Sequence, residues 1–174
     1  MHIKKMTYSA IFLALCLLLP FLTLQTVPLG NMFSLMHIPV FLCGFLCGWP
    51  YGFSVGFIAP LLRNLLFSMP PFPRNIAMAA ELSVYGLTAG LLYRLFPKKT
   101  GYLYVSLLLS MLLGRIAWGI VTSLLVGNFT FSAFLAGAFL NAVPGIICHI
   151  ALVPILVLAL LKSGVFHAKN QKSN

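Results

Sequence analysis

The sequence predicts an all-α integral membrane protein, a bundle of six transmembrane helices with both termini in the cytoplasm. Composition is the first reason: 61% of the 174 residues are hydrophobic and only 7% are charged. The mean hydropathy of +1.04 lies far above that of soluble domains. The second reason is charge: Glu81 is the only acidic residue beside eleven lysines and arginines. The third is that turn residues divide the apolar sequence into segments of membrane-spanning size.

Turn signals set the limits of each predicted span. The six predicted spans are residues 7–24, 38–48, 51–67, 75–96, 102–126 and 132–161. Pro39 suits the first turn of the short second helix, and Trp49-Pro50 separates that helix from the third. Pro144 and Pro154 are expected to kink the sixth span. The chain has no linker and no clear repeat, so residues 1–174 are predicted to form one domain.

Basic residues predict the orientation of the bundle. With six spans, Lys4 and Lys5, the cluster at 94–99 and the lysines of 162–172 fall on one side. Cytoplasmic loops carry the excess of lysine and arginine, so this side is predicted to face the cytoplasm. The protein is therefore expected to cross its membrane several times.

Several chemistries are excluded by the residues that are absent. There is no aspartate, and a single carboxylate cannot support two-carboxylate hydrolysis or an acidic magnesium site. No phosphate-binding loop is present, so the chain is not expected to hydrolyse ATP alone. The four cysteines lie in apolar segments without zinc or disulfide spacing. We therefore expect no cofactor, no metal, no enzyme activity and no nucleic-acid partner.

Polar residues of the predicted spans form stripes that face one interior. Arg74, Glu81 and Tyr85 share a face of the fourth span, and Arg115 and Trp118 share a face of the fifth. A charge at bilayer depth needs a partner, and Arg115 is the expected partner of Glu81. The candidate substrate-binding residues, which also include members of the loop after the first span, are Asn31, His37, Arg63, Arg74, Glu81, Tyr85, Arg115, Trp118 and Asn141.

Structural explanations compete with this site. Glu81 and one arginine can form an ion pair that only fixes helix packing. His37 and His149 can be packing histidines, and Tyr85 and Trp118 can be core aromatics. The convergence of these residues favours a site, and the surplus of arginine over glutamate favours an anionic solute such as a small carboxylate.

Small residues form a second pattern. Gly44, Gly48, Gly52 and Gly56 recur at intervals of four, which favours close helix packing inside the bundle. Ala10 and Ala14, four apart on the first span, can instead offer a smooth face to another subunit.

These features resemble the substrate-binding subunits (S components) of energy-coupling factor (ECF) vitamin transporters. Ala10-x-x-x-Ala14 is similar to the small-residue motif of that family, and the runs at 36–52, 59–63 and 69–71 look like one of its branches. The resemblance implies a vitamin site under the loop after the first helix. It also implies docking through both alanines onto a transmembrane coupling subunit that carries two ATPases.

The resemblance leaves the substrate open. Members of this branch are linked with pantothenate and with dimethylbenzimidazole, and the excess of arginine slightly favours the pantothenate anion. A structural or assembly subunit, and an intramembrane enzyme using His149 or His37 with Arg115, are the competing functions. The absence of a nucleophile pair and of a second carboxylate argues against the enzyme.

Overall fold

Helices make up nearly all of the computed structural model, which describes residues 2–23, 34–127, 130–138 and 140–164. Within those ranges there are seven α-helices and two short 3-10 turns. The helices are α1 His2–Leu18, α2 His37–Cys47, α3 Trp49–Phe67, α4 Arg74–Leu95, α5 Thr100–Val126, α6 Phe131–Ala138 and α7 Val143–Lys162. The 3-10 turns are Leu19–Thr23 and Leu140–Ala142.

Four of the described helices are long and apolar enough to cross a membrane. They are α1 extended through its 3-10 turn, α4, α5 and α7, with mean hydropathies between 1.4 and 2.5. The second predicted span is an apolar helix of only 11 residues, and α3 is not among the four. The all-helical membrane class is therefore confirmed, whereas six spans and cytoplasmic termini stay predictions.

The prediction that the sixth span is one kinked helix is wrong. The chain leaves α6 at Ala138 and begins α7 at Val143, with the 3-10 turn Leu140–Ala142 between them. Pro144 lies in the first turn of α7, where its missing N–H has no helical acceptor to lose. Pro154 does lie inside a helix.

Helix α4 is the centre of the bundle and packs against α2, α3 and α5. Helix α2 is buried along almost its whole length, with contacts to α1, α3, α4 and α7. The chain reverses from α2 into α3 at Gly48, whose φ of 104° is a conformation that favours glycine.

Glycines bring α3 and α4 into backbone contact. A Cβ built on Gly86 would lie 2.1 Å from the carbonyl oxygen of Gly52. The expectation of internal packing is confirmed for Gly44, Gly52 and Gly56, where an added Cβ would meet the backbone of α4, whereas Gly48 serves the turn.

The outside of the bundle is apolar. Leu65, Leu124 and Phe131 are among many large hydrophobic side chains that are exposed. So many exposed apolar side chains are typical of a surface that faces lipid, which agrees with the four helices long and apolar enough to cross a membrane.

Candidate functional site

Glu81 lies at the centre of a buried polar cluster between α4 and α5. Its carboxylate is 2% exposed, and Oε1 accepts a hydrogen bond of 2.7 Å from the hydroxyl of Tyr85. Arg115 Nη1 lies 3.0 Å from the same oxygen, and His37 Nε2 lies 3.6 Å from it. We call Glu81, Arg115, Tyr85 and His37 the Glu81 cluster. The Glu81–Arg115 ion pair is thus present as predicted.

Helix geometry explains why these side chains lie together. Glu81 and Tyr85 are one turn apart on α4, so both point towards α5. The Tyr85 ring has room there because Gly114 faces it, and a Cβ on Gly114 would lie 2.2 Å from the ring. Phe41 of α2 stacks on the other side of Tyr85 at 4.8 Å between ring centroids.

A backbone carbonyl orients the two histidines. Ser34 O accepts a hydrogen bond from His37 Nδ1 at 2.7 Å and is 3.3 Å from His149 Nε2. The two imidazole rings are 5.5 Å apart. Because a carbonyl can only accept, the His37 proton sits on Nδ1 when the ring is neutral, and Nε2 then faces Glu81 as a lone pair.

A cavity of about 340 Å³ lies above the Glu81 cluster, where α4 begins and α5 ends. Its volume is in the range of small-molecule sites. Its lining residues come from α2, α4, α5, α6 and the segments that precede α2 and α4. They are Ser34, His37, Pro73, Arg74, Ala77, Met78, Glu81, Arg115, Trp118, Thr122, Leu125, Val126 and Gly137.

The charge of the lining is positive. Arg74 and Arg115 face the cavity together with one acid, Glu81. Arg115 is held by Glu81, whereas Arg74 makes no ion pair with any residue in the described ranges. One cationic charge is therefore available to a solute.

Trp118 forms part of the wall of the cavity. Its ring stacks against Phe134 of α6, with 6.5 Å between ring centroids. A Cβ on Gly137 would lie 2.8 Å from the Trp118 ring, so α6 also closes over it. The indole thus offers a flat apolar surface that is held on one side.

The structure brings five of the nine predicted ligand residues to this cavity: His37, Arg74, Glu81, Arg115 and Trp118. Tyr85 lies below them and contacts Glu81 rather than the cavity. Asn31 lies outside the described residues. Asn141 belongs to a described 3-10 turn, but its side chain is not described.

Arg63 is not at the cavity. Its guanidinium lies 5.4 Å from the Phe21 ring centroid and 5.6 Å from that of Phe67. It donates a 2.8 Å hydrogen bond to the carbonyl of Leu17. Aromatic rings from α3 and from the turn after α1 cover it, so the structure does not bring this predicted substrate-binding residue to the cavity.

Some features of the site have weak signals or none in the sequence. Thr122 belongs to the α5 stripe, and its seven-residue spacing from Arg115 marks it as a lining candidate. The Ser34 carbonyl has no such signal, because its role depends on backbone direction, with φ of 46°.

Helices and cavity together define a class: a helical membrane-embedded protein with a small, cation-biased binding site. Residues 4–164 match the family model described as "ECF transporter, substrate-specific component". Since the match covers most of the chain, the protein belongs to this family. Comparison with curated proteins and with solved structures finds no match. Members of the family are binding subunits of transporters rather than enzymes, and they associate with the components of an ECF module.

Proposed function

We propose that this chain is the high-affinity subunit that captures a small anionic vitamin or vitamin precursor for ATP-driven uptake across a prokaryotic plasma membrane. The observation that carries the proposal is Arg74 at the cavity. This guanidinium faces a site of about 340 Å³ without an acidic partner in the described residues. A guanidinium binds a carboxylate through two parallel hydrogen bonds.

Charge favours pantothenate as the substrate, with dimethylbenzimidazole next. Pantothenate has a carboxylate that would neutralise Arg74. Dimethylbenzimidazole is a flat heterocycle that could stack on Trp118 but would leave the arginine uncompensated. A carboxylate would make charged hydrogen bonds with Arg74 that the heterocycle cannot make, so the anion is preferred.

Transport requires partners, because the sequence has no nucleotide-binding loop. We propose a transmembrane coupling subunit and two ATPase subunits as those partners. Ala10 and Ala14 support this, since both are exposed on α1 and leave a smooth strip on the outside of the bundle. Contact there would leave the cavity free to hold its ligand.

Competing functions are an assembly subunit without a ligand and an intramembrane enzyme. The cavity argues against the first, since a purely structural protein has no need of a cavity with a positively charged lining. The engagement of Glu81 by Arg115 and Tyr85 argues against the second, because it occupies the only carboxylate.

Binding to the purified protein tests the proposal. The protein would be extracted in detergent, and isothermal titration would be run with pantothenate and dimethylbenzimidazole, with mass spectrometry of any co-purified small molecule. We expect pantothenate to bind with submicromolar affinity or better. Arg74→Gln should weaken it at least about ten-fold, which corresponds to the loss of about 1.4 kcal/mol.

Arg94→Gln is the matched control, because it removes the same charge from an exposed position in the last turn of α4. It should leave affinity unchanged. The proposal fails if wild-type protein neither binds either compound nor carries a small molecule through purification.

A further inference from the structure

Three buried side-chain atoms lack a hydrogen-bond partner in the described part of the chain. They are His37 Nε2, Arg115 Nε and Thr122 Oγ1. All three belong to residues that line the cavity. Buried polar atoms are normally paired, so three unpaired atoms around one cavity indicate groups that a ligand supplies.

Two levels of the cavity are separated along the helix axes. Arg74 and Glu81 are seven residues apart on α4, and Thr122 and Arg115 are seven apart on α5. Because Glu81 pairs with Arg115, Arg74 and Thr122 lie on the same side of that pair, about 10 Å further along the helices. We call these the floor level (Glu81, Arg115, His37) and the rim level (Arg74, Thr122). Trp118 lies between them on the same face of α5.

The floor level needs a group that both donates and accepts. When its ring is neutral, His37 presents a lone pair on Nε2, because Ser34 O accepts the hydrogen bond from Nδ1. Arg115 presents an unused Nε–H. Both side chains hold Glu81 and also line the cavity, so both atoms are offered to a ligand group on the floor. A hydroxyl fits, since it donates to the imidazole and accepts from the guanidinium.

The rim level needs an acceptor with negative charge. The Arg74 guanidinium has only donors, and the Thr122 hydroxyl can donate to a second oxygen of the same group. A carboxylate supplies both acceptors. The wall between rim and floor is apolar on the sides of Ala77, Met78 and Trp118.

We infer that the ligand is an elongated hydroxy-carboxylate of about 10 Å, bound with its hydroxyl end on the floor and its carboxylate at the rim. This rests on the proposed function and deepens it, because it states the substrate class and the direction of binding. A ligand without an ionised end, such as a neutral heterocycle, does not neutralise the Arg74 charge at the rim level.

A pair of ligands and a set of variants test the direction in which the ligand binds. Pantothenate would be compared with pantothenol, in which a neutral alcohol replaces the carboxylate and the hydroxyl end is unchanged. Isothermal titration of wild-type protein and of each variant gives the ratio of the two dissociation constants. That ratio reports the rim alone, because a folding defect or a floor defect affects both compounds.

Rim variants should change the ratio. Arg74→Gln should weaken pantothenate ten-fold or more and pantothenol less than three-fold. Thr122→Val has nearly the same shape and breaks no existing hydrogen bond, so it should weaken pantothenate about five-fold through the ligand alone. Thr88→Val is its control, because the Thr88 hydroxyl donates to the α4 backbone at Val84 and Thr88 is not among the residues that line the cavity.

A floor variant should leave the ratio unchanged. His37→Asn keeps an amide near the Nδ1 position for Ser34 O and removes Nε2. It should weaken both compounds by the same factor, about five- to ten-fold. His37→Gln, whose amide reaches the Nε2 position, should restore part of the loss for both.

Each outcome separates the inference from the proposed function. If pantothenate binds but Arg74→Gln weakens both compounds equally, the inferred direction is overturned and the binding function stands. A preference of wild-type protein for dimethylbenzimidazole, or a co-purified ligand without a carboxylate, overturns the inference and the anionic substrate, and leaves the role in vitamin uptake standing. If no compound binds and no ligand co-purifies, the proposed function fails and the inference fails with it.

Discussion

Glu81 of α4 and Arg115 of α5 form an ion pair of 3.0 Å beneath the cavity, with both side chains almost fully buried. The same carboxylate oxygen accepts the hydroxyl proton of Tyr85. The pair therefore links two helices, and it leaves Arg115 Nε without a hydrogen-bond partner in the described part of the chain. The interpretation of Glu81 as a packing residue and its interpretation as part of a binding site are therefore compatible.

Removing one partner of this pair should destabilise the protein strongly. Glu81→Gln leaves the Arg115 charge buried without compensation, which typically costs about 3–5 kcal/mol. We expect a large drop in the thermal unfolding temperature of the detergent-solubilised protein, measured by fluorescence-detected size-exclusion chromatography after heating.

The double variant Glu81→Gln with Arg115→Gln is the control for charge. It should recover part of the lost stability, because two neutral amides can hydrogen-bond to each other and no charge stays unpaired. Equal loss in the single and the double variant would show that the unpaired Arg115 charge is not the cause of the destabilisation.

Helix periodicity was sufficient to predict part of this site. The spacing of Arg74 and Glu81 on one span, and of Arg115 and Trp118 on the next, placed them on facing stripes without any structure. A lone acid in lipid must find a cation, so the Glu81–Arg115 pair was also predictable. These predictions depend only on residues within one helix and on the cost of burying charge.

Predictions that depended on tertiary contacts were less successful. Arg63 has the right depth on α3 to face the cavity, but Phe21 and Phe67 hold it elsewhere. Contacts with aromatic rings of another element leave no periodic pattern in the sequence. The 3-10 turn Leu140–Ala142 was missed for a similar reason, since its apolar sequence is also compatible with a continuous helix.

The backbone contact between Gly52 and Gly86 leads to a second prediction. Gly86→Ala would place Cβ 2.1 Å from the Gly52 carbonyl oxygen. Backbone atoms cannot rotate away as a side chain can, so α3 and α4 must separate. Overpacking commonly costs about 1–3 kcal/mol, and we expect the upper part of that range in thermal unfolding. Gly101→Ala is the control, because a Cβ there meets nothing within 4 Å; similar loss in both variants would contradict the packing argument.

Arg63 should act on the turn after α1 rather than on the ligand. Its hydrogen bond to Leu17 O and its contacts with two aromatic rings connect α3 to the end of α1. We expect Arg63→Gln to lose about 1–3 kcal/mol from a charged hydrogen bond and to increase hydrogen exchange in residues 19–23. Pantothenate and pantothenol should be affected equally. A selective loss of pantothenate binding would show instead that Arg63 contacts the carboxylate.

Substitutions of Ala10 and Ala14 test the proposed partner surface independently of the ligand. Both are exposed on α1, and a leucine at either position adds bulk where a second helix would need to approach closely. Ala10→Leu and Ala14→Leu should reduce co-purification with the coupling subunit and ATPases, and vitamin uptake by cells, about ten-fold or more. Ligand affinity of the isolated subunit should not change, because α1 contributes no residue to the cavity lining.

Ala151→Leu is the matched control for this surface, since it adds the same volume to an exposed alanine of α7. It should preserve both assembly and uptake. If Ala151→Leu disrupts assembly as much as the α1 variants do, the loss comes from bulk on any exposed helix. If the α1 variants assemble normally, docking uses another face, and the ligand-binding results are unaffected.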